Sequence, residues 1–423
     1  MIRLLLFLLA VVPLAAPAQT TGVINAQEVL RIEKVLAADS LGGRQAGTPG
    51  LAKAAAFIAS EFKAAGLQTL SNAPGYLQSF KKIQTGAQKV SWKMGGRPMD
   101  AKRVVVVSSQ PRLEVTEQSG YKIKTLSPGA NPVLEAMRMA QARENSIVLV
   151  NEAYASGFLR LGQYLQSQFA QETSTIFILS NAATLDPFAI DMQQQVEGVP
   201  LSNVVGILPG KSRPDEYVIF SAHYDHLGIG APVEGDSIFN GANDDAAGTT
   251  AVILLAKHFQ QLANNERTLV FAAFTGEEEG GFGSQYFSQR FNPAQVVAMF
   301  NIEMIGTESK WGKNSAYITG FDRSDMGAIL QRNLKGTPFT FHPDPYPDQQ
   351  LFYRSDNATL ARLGVPAHTI STSKMDNEPY YHTVDDEWET LDPANMAEII
   401  RAIAESSKSI ISGKDTPARV SGE

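Results

Sequence analysis

One stretch, residues 216–248 (EYVIFSAHYDHLGIGAPVEGDSIFNGANDDAAG), limits what this chain can fold into. Tyr217 to Ala222 is a mostly apolar run of strand length, the pattern of a strand buried on both faces. It delivers His223 and Asp225 at its C-terminal end. A glycine-rich loop follows, then Asn243, Asp244 and Asp245, then an apolar helix with Gly248 near its start. A His, a carboxylate two residues on and a second pair of carboxylates after the loop make half of a metal site. Imidazole and carboxylate are the donors zinc accepts when no thiolate is available, and the chain has no cysteine.

From 203 onward, strands alternate with helices. Strands are expected at 203–208, 216–223, 268–275, 296–303, 315–319 and 365–370. Helices are expected at 246–263, 281–290, 323–335, 355–363 and 392–412. That alternation predicts an α/β fold of three layers, a mostly parallel mixed sheet with helices on both faces. Ahead of it, residues 27–37 read as a helix and Asp39 to Gly50 as a glycine-rich turn. Thr48 as N-cap, Pro49 as first helical residue and Gly66 as C-cap bound a second helix.

Residues 85–200 behave differently. Short strands are expected at Val104 to Val107, Ile147 to Val150 and Thr175 to Leu179, with helices near 133–142 and 157–169. The segment has no histidine. It reads as an inserted α/β subdomain or lid, or else as part of one continuous domain. On the first reading, 19–84 and 201–412 form one discontinuous domain, and 413–423 is a frayed tail.

The chain has 423 residues with 43% hydrophobic and 19% charged content, ample for a large core. A net charge of −7 without a basic run excludes nucleic acid as a natural partner. Arg3, the apolar run Leu4 to Leu14 and Ala16-Pro17-Ala18 have the form of a secretory signal peptide over 1–18. The apolar run is shorter than the ~20 residues a membrane span needs, so an uncleaved anchor is the weaker alternative. Export to a periplasm or the outside medium is the expectation. No stable span remains after cleavage.

Sites in open α/β sheets form beyond the C-terminal ends of the strands. Candidate groups at such ends are His223 with Asp225, Asp244 with Asp245, Glu277-Glu278-Glu279, and Glu303. Tyr380-Tyr381-His382 precedes the final helix. Glu303 interrupts the apolar strand MFNIEMIG, where an unpaired carboxylate is costly to bury. Two histidines and three carboxylates gathered from separate strand ends are what a two-metal site needs.

The ordered set HYD, GANDDAAG, GEEEGGFGS, NIEMIG and YYHTVDD resembles the dizinc aminopeptidase family, which also contains glutamate carboxypeptidase and transferrin receptor. GGRQAGTPG and FYRSDNATLARLGVP fit as well. The resemblance covers 203–410 and, less fully, 38–66; many relatives carry a protease-associated insertion where 85–200 stands. It implies a zinc peptidase domain, two Zn2+ per chain, with other divalent metals such as manganese or cobalt as the alternative, and peptide substrates. By position, Asp244 bridges both ions, His223 and Glu303 complete one site, and Glu278 and His382 the other. Glu277 is the implied general base, with Glu279 outside the site. Asp225 would orient His223, and Tyr381 or Tyr380 would donate to the oxyanion. A cis peptide is implied between Asp244 and Asp245. Glu303 stands where many relatives carry Asp, with the same donor atoms one methylene further out. Gly281 replaces a usual Leu.

The implied activity is removal of N-terminal residues from peptides. A related carboxypeptidase, dipeptidase or glutaminyl cyclase, and an inactive binding protein, are the alternatives. His226 reads as structural or pocket-lining, His258, His342 and His368 as structural, and Ser355-Asp356 as an N-cap for the next helix.

Overall fold

The computed structural model describes residues 22–71, 73–126, 132–165 and 167–421. The expected signal peptide lies outside them. Among the described residues, nine strands form the large sheet: β1 Leu77–Thr85, β2 Ser167–Phe169, β3 Val196–Leu208, β4 Arg213–His223, β5 Arg267–Phe274, β6 Val296–Ile302, β7 Ser315–Ile318, β8 Thr340–Pro343 and β9 Ala367–Ser371. Their order is β8-β7-β9-β6-β4-β5-β3-β1-β2. The central run β9-β6-β4-β5 is parallel. Strands β3, β1 and β2 extend it antiparallel on one side, and β7 meets β9 antiparallel on the other. The sheet is therefore mixed, with its parallel part at the centre.

Alternation along β4 explains the layering. Val218, Phe220 and Ala222 point to one core, and Ile219 to the other. Helices Ala26–Leu36, Pro49–Ala65, Ala247–Leu262, Met326–Asn333 and Pro393–Ile411 cover the first face. Phe282–Ser288 and Ala358–Ala361 cover the second. Helix Pro49–Ala65 begins as its sequence dictates: the Thr48 side chain accepts from Leu51 N–H, and Gly66 closes it at φ 79°.

Between β1 and β3 the chain builds two further four-stranded sheets. One joins Arg97–Pro98, Lys89–Met94, Phe188–Gln193 and Arg112–Thr116; the other joins Val104–Val107, Thr175–Leu179, Ser146–Val150 and Lys122–Thr125. Their cores, around Trp92, Ile147 and Ile190 and around Val148, Phe158 and Phe177, are separate from those of the large sheet.

Two local expectations fail. The helix expected over 157–169 is Ala155–Tyr164, because Ser167–Phe169 leaves it to pair with Lys82 to Gln84 at the sheet edge. The tail is not frayed over 413–421. Arg267 Nη1 donates to Asp415 O at 2.6 Å, Arg419 Nη1 donates to Val296 O at 2.8 Å, and Val420 is buried in the second core.

Candidate metal centre

Strand β4 ends between β5 and β6, so His223, the Glu277-Glu278 pair and Glu303 emerge on one rim of the parallel centre. Asp244 reaches that rim from the loop after β4. Three anchors hold this loop. The Asp386 carboxylate accepts from Asn243 N–H (2.8 Å) and Asp244 N–H (3.0 Å). Asn243 Oδ1 accepts from Gly306 N–H at 2.8 Å. Asp245 Oδ1 accepts from Gly248 N–H and Met304 N–H, each at 3.0 Å. The Asp244–Asp245 peptide is cis. With its neighbours so occupied, the Asp244 carboxylate is left to face the cavity.

Its two oxygens face different histidines. Oδ1 lies 3.3 Å from His223 Nε2, and Oδ2 lies 3.3 Å from His382 Nε2. Glu278 Oε2 lies 3.3 Å from the same His382 nitrogen. Two donors each about 2.0–2.1 Å from one tetrahedral ion stand about 3.3 Å apart, so these spacings suit shared ligation better than direct hydrogen bonding. Buried His223 Nε2, Glu303 Oε2 and His382 Nε2 have no hydrogen-bond partner, which burial makes costly unless a cation completes them. The residues present therefore fit zinc.

Asp244, Glu277, Glu278 and Glu303 line one cavity with Tyr381 and a single cation among its described lining residues, Arg354. Burial pushes the Glu303 carboxyl up to about 7, and Asp244 adds to the rise. Burial also drives Glu277 well above its ordinary value, with Glu303, Asp356 and Glu278 adding and His223 opposing. Burial opposes ionisation of Asp244 as well, but His223 and His382 outweigh it and hold that carboxyl below its usual range. Without cations the site is a crowd of carboxylates that cannot all ionise.

Each residue singled out from the sequence has a definite place. His223 Nδ1 is 3.2 Å from the main-chain oxygen of Asp225 and 4.0 Å from that residue's Oδ1. The Asp225 carboxylate instead accepts from Glu277 N–H at 3.2 Å. Tyr381 lines the cavity and stacks on His382 at 3.9 Å between ring centroids, whereas Tyr380 is absent from the lining. Glu279 turns away and pairs with buried Lys82. His368 is a buried structural residue, and His342 stacks on Trp311. The expected N-cap role of Ser355-Asp356 fails. Asn357 occupies the cap position, Ser355 Oγ accepts from Asn301 Nδ2 at 2.7 Å, and neither Asp356 oxygen has a hydrogen-bond partner.

Sequence reasoning gave no role to Asp386, Arg44 or Arg354. Asp386 sits inside the quoted YYHTVDD motif, and its offset from His382 was the available signal. Buried Arg44, within GGRQAGTPG, donates to the carbonyls of Tyr224, Leu36, Asn240 and Gly241, and so ties the N-terminal turn to both ends of the metal loop.

Comparison with known proteins places the chain among peptidases. Residues 203–407 match the model of peptidase family M28. A probable leucine aminopeptidase of Trichophyton verrucosum is 29% identical over 338 residues, 75% of this chain and 87% of that protein. One from Arthroderma benhamiae is 32% identical over 205 residues, 46% of this chain but only 54% of that protein. A probable zinc metalloprotease of Pyrenophora teres f. teres is 35% identical over 118 residues, about a quarter of each chain (27% and 25%). Among solved structures, an aminopeptidase from Aneurinibacillus sp. strain AM-1 superposes with a TM-score of 0.55 at 18% identity, covering 95% of this chain and 96% of that one. The zinc aminopeptidase of Bacillus subtilis gives 0.54 at 16% identity, covering 93% and 97%. At those identities the likeness is one of fold. Through residues 203–407, the chain belongs to peptidase family M28.

Proposed function

We propose that this chain is an exported, two-zinc aminopeptidase that removes N-terminal residues from peptides. The observation that carries this reading is the placement of the two Asp244 oxygens, each 3.3 Å from a different histidine. That placement would let one carboxylate be shared between two ions. His223, Asp244 and Glu303 would hold one ion, and Asp244, Glu278 and His382 the other. When bound, such ions acidify a water and polarise a peptide carbonyl.

The chain's own residues do the rest. Glu277 reaches the cavity from the turn after β5, with its main chain fixed by Asp225. It takes the proton of the attacking water and passes it to the leaving amine. Tyr381 donates to the developing oxyanion from its place beside His382. The 89–193 sheets form an inserted subdomain, and residues 1–18 direct export.

The test is hydrolysis of aminoacyl-nitroanilides against N-blocked peptides, with zinc content measured on the same sample. The proposal predicts cleavage of free-amine substrates and two ions per chain. Cleavage of blocked peptides alone would point to one of the related exopeptidases, and metal binding without any turnover to a binding protein.

A further inference from the structure

His226 is buried directly behind the proposed centre and has no place among the cavity-lining residues. Its Nδ1 lies 2.9 Å from Glu278 Oε1. A carboxylate can only accept, so Nδ1 carries the proton and donates. The other oxygen of the same carboxylate, Oε2, faces His382 Nε2 at 3.3 Å. The two sides of Glu278 are therefore assigned to different partners.

His226, Asp244 and Glu278 each offer a donor atom within 4.8 Å of the others, so His226 is also a conceivable ligand. The spacings argue against that. A separation of 2.9 Å is an N–H···O bond, shorter than the ~3.3 Å between donors on one tetrahedral ion. Nδ1 also stands 3.9 Å from Asp244 Oδ2, too far to share an ion with it at that spacing.

The ring cannot easily turn. A Cβ at Gly241, whose φ is +59°, would lie 2.5 Å from His226 Cγ and Cδ2, so the imidazole packs against bare backbone there. The His226 N–H donates to Arg44 O at 3.3 Å, and its ring meets that of His382 edge-on at 5.7 Å between centroids.

We propose that His226 is a positioning residue: by donating to Glu278 Oε1 it presents only Oε2 to the ion shared with His382, and so sets the affinity of that one of two sites. This rests on the two-ion reading above. Outer partners of ligating carboxylates typically change metal affinity about 10–100-fold when removed.

The experiment compares His226→Leu with His226→Gln, which keeps an N–H donor, in the full chain. Each protein is loaded with zinc and titrated with a chelating dye, and retained zinc is counted by mass spectrometry. The melting of the metal-stripped proteins is recorded alongside. The Leu variant should release one ion about 10–100-fold more readily while the second is held as in the unmodified protein. The Gln variant should recover part of the loss, and the metal-free melting should be nearly unchanged. Equal weakening of both ions, no weakening, or a loss matched by a lower metal-free melting temperature overturns the proposal. An unmodified protein that never holds two ions would instead overturn the reading on which it stands.

Discussion

His368 makes the acid stability of the fold a measurable quantity. It sits fully buried on β9 and is not among the proposed ligands. Its Nδ1 donates to Thr319 O at 2.9 Å, and Nε2 accepts from Ser324 Oγ at 2.7 Å. That pattern belongs to the neutral ring. Burial lowers its pKa from 6.5 to about 4, against a small opposing pull from the Thr319 carbonyl. A base whose folded pKa lies below its unfolded one binds its proton first in the unfolded chain. The stability it contributes is present above about pH 6.5 and is lost as pH falls toward about 4. The full shift is worth about 3 kcal/mol, of which about 2 should be gone between about pH 7.5 and about pH 5. Urea unfolding of the metal-free protein across that range, compared with His368→Asn, reads this directly. Asn keeps a donor for Thr319 O but cannot take a proton. The variant should be less stable near neutrality yet lose about 2 kcal/mol less on acidification. Parallel pH profiles for the two proteins would refute the reasoning.

Glu277→Gln should retain both zinc ions while turnover falls about 10²–10⁴-fold, as followed by nitroanilide release with metal counted on the same sample. Gly248→Ala places a methyl group against the Ile302 carbonyl and the Asp245 carboxylate, and should cost about 1–3 kcal/mol in urea unfolding. Asp386→Ala leaves the Asn243 and Asp244 N–H groups without their acceptor, at about 1–3 kcal/mol each. Hydrogen exchange at those amides should rise with the loss of stability.

The site was legible where it depended on residue type at strand ends. Strands β4, β5 and β6 are buried on both faces, so their apolar runs mark where His223, Glu277-Glu278 and Glu303 emerge. Strand β1 was hidden for the opposite reason. Its inward positions include Gln78, Phe80 and Lys82, two of them polar, so no apolar alternation announces it. Lys82 is tolerated there because Glu279 meets it across the loop. The tail escaped notice because polar residues such as Arg419 and Asp415 dock through main-chain bonds to distant strands, which composition does not encode. Likewise Asp386 looks like one of two adjacent acids until the fold brings it under the Asn243 and Asp244 amides.

The most direct measurement is diffraction from crystals of the zinc-loaded protein on both sides of the zinc absorption edge. Two anomalous peaks about 3.5–4 Å apart should flank the Asp244 carboxylate, one toward His223 and one toward His382. A single peak, or a pair that Asp244 does not join, would contradict the account.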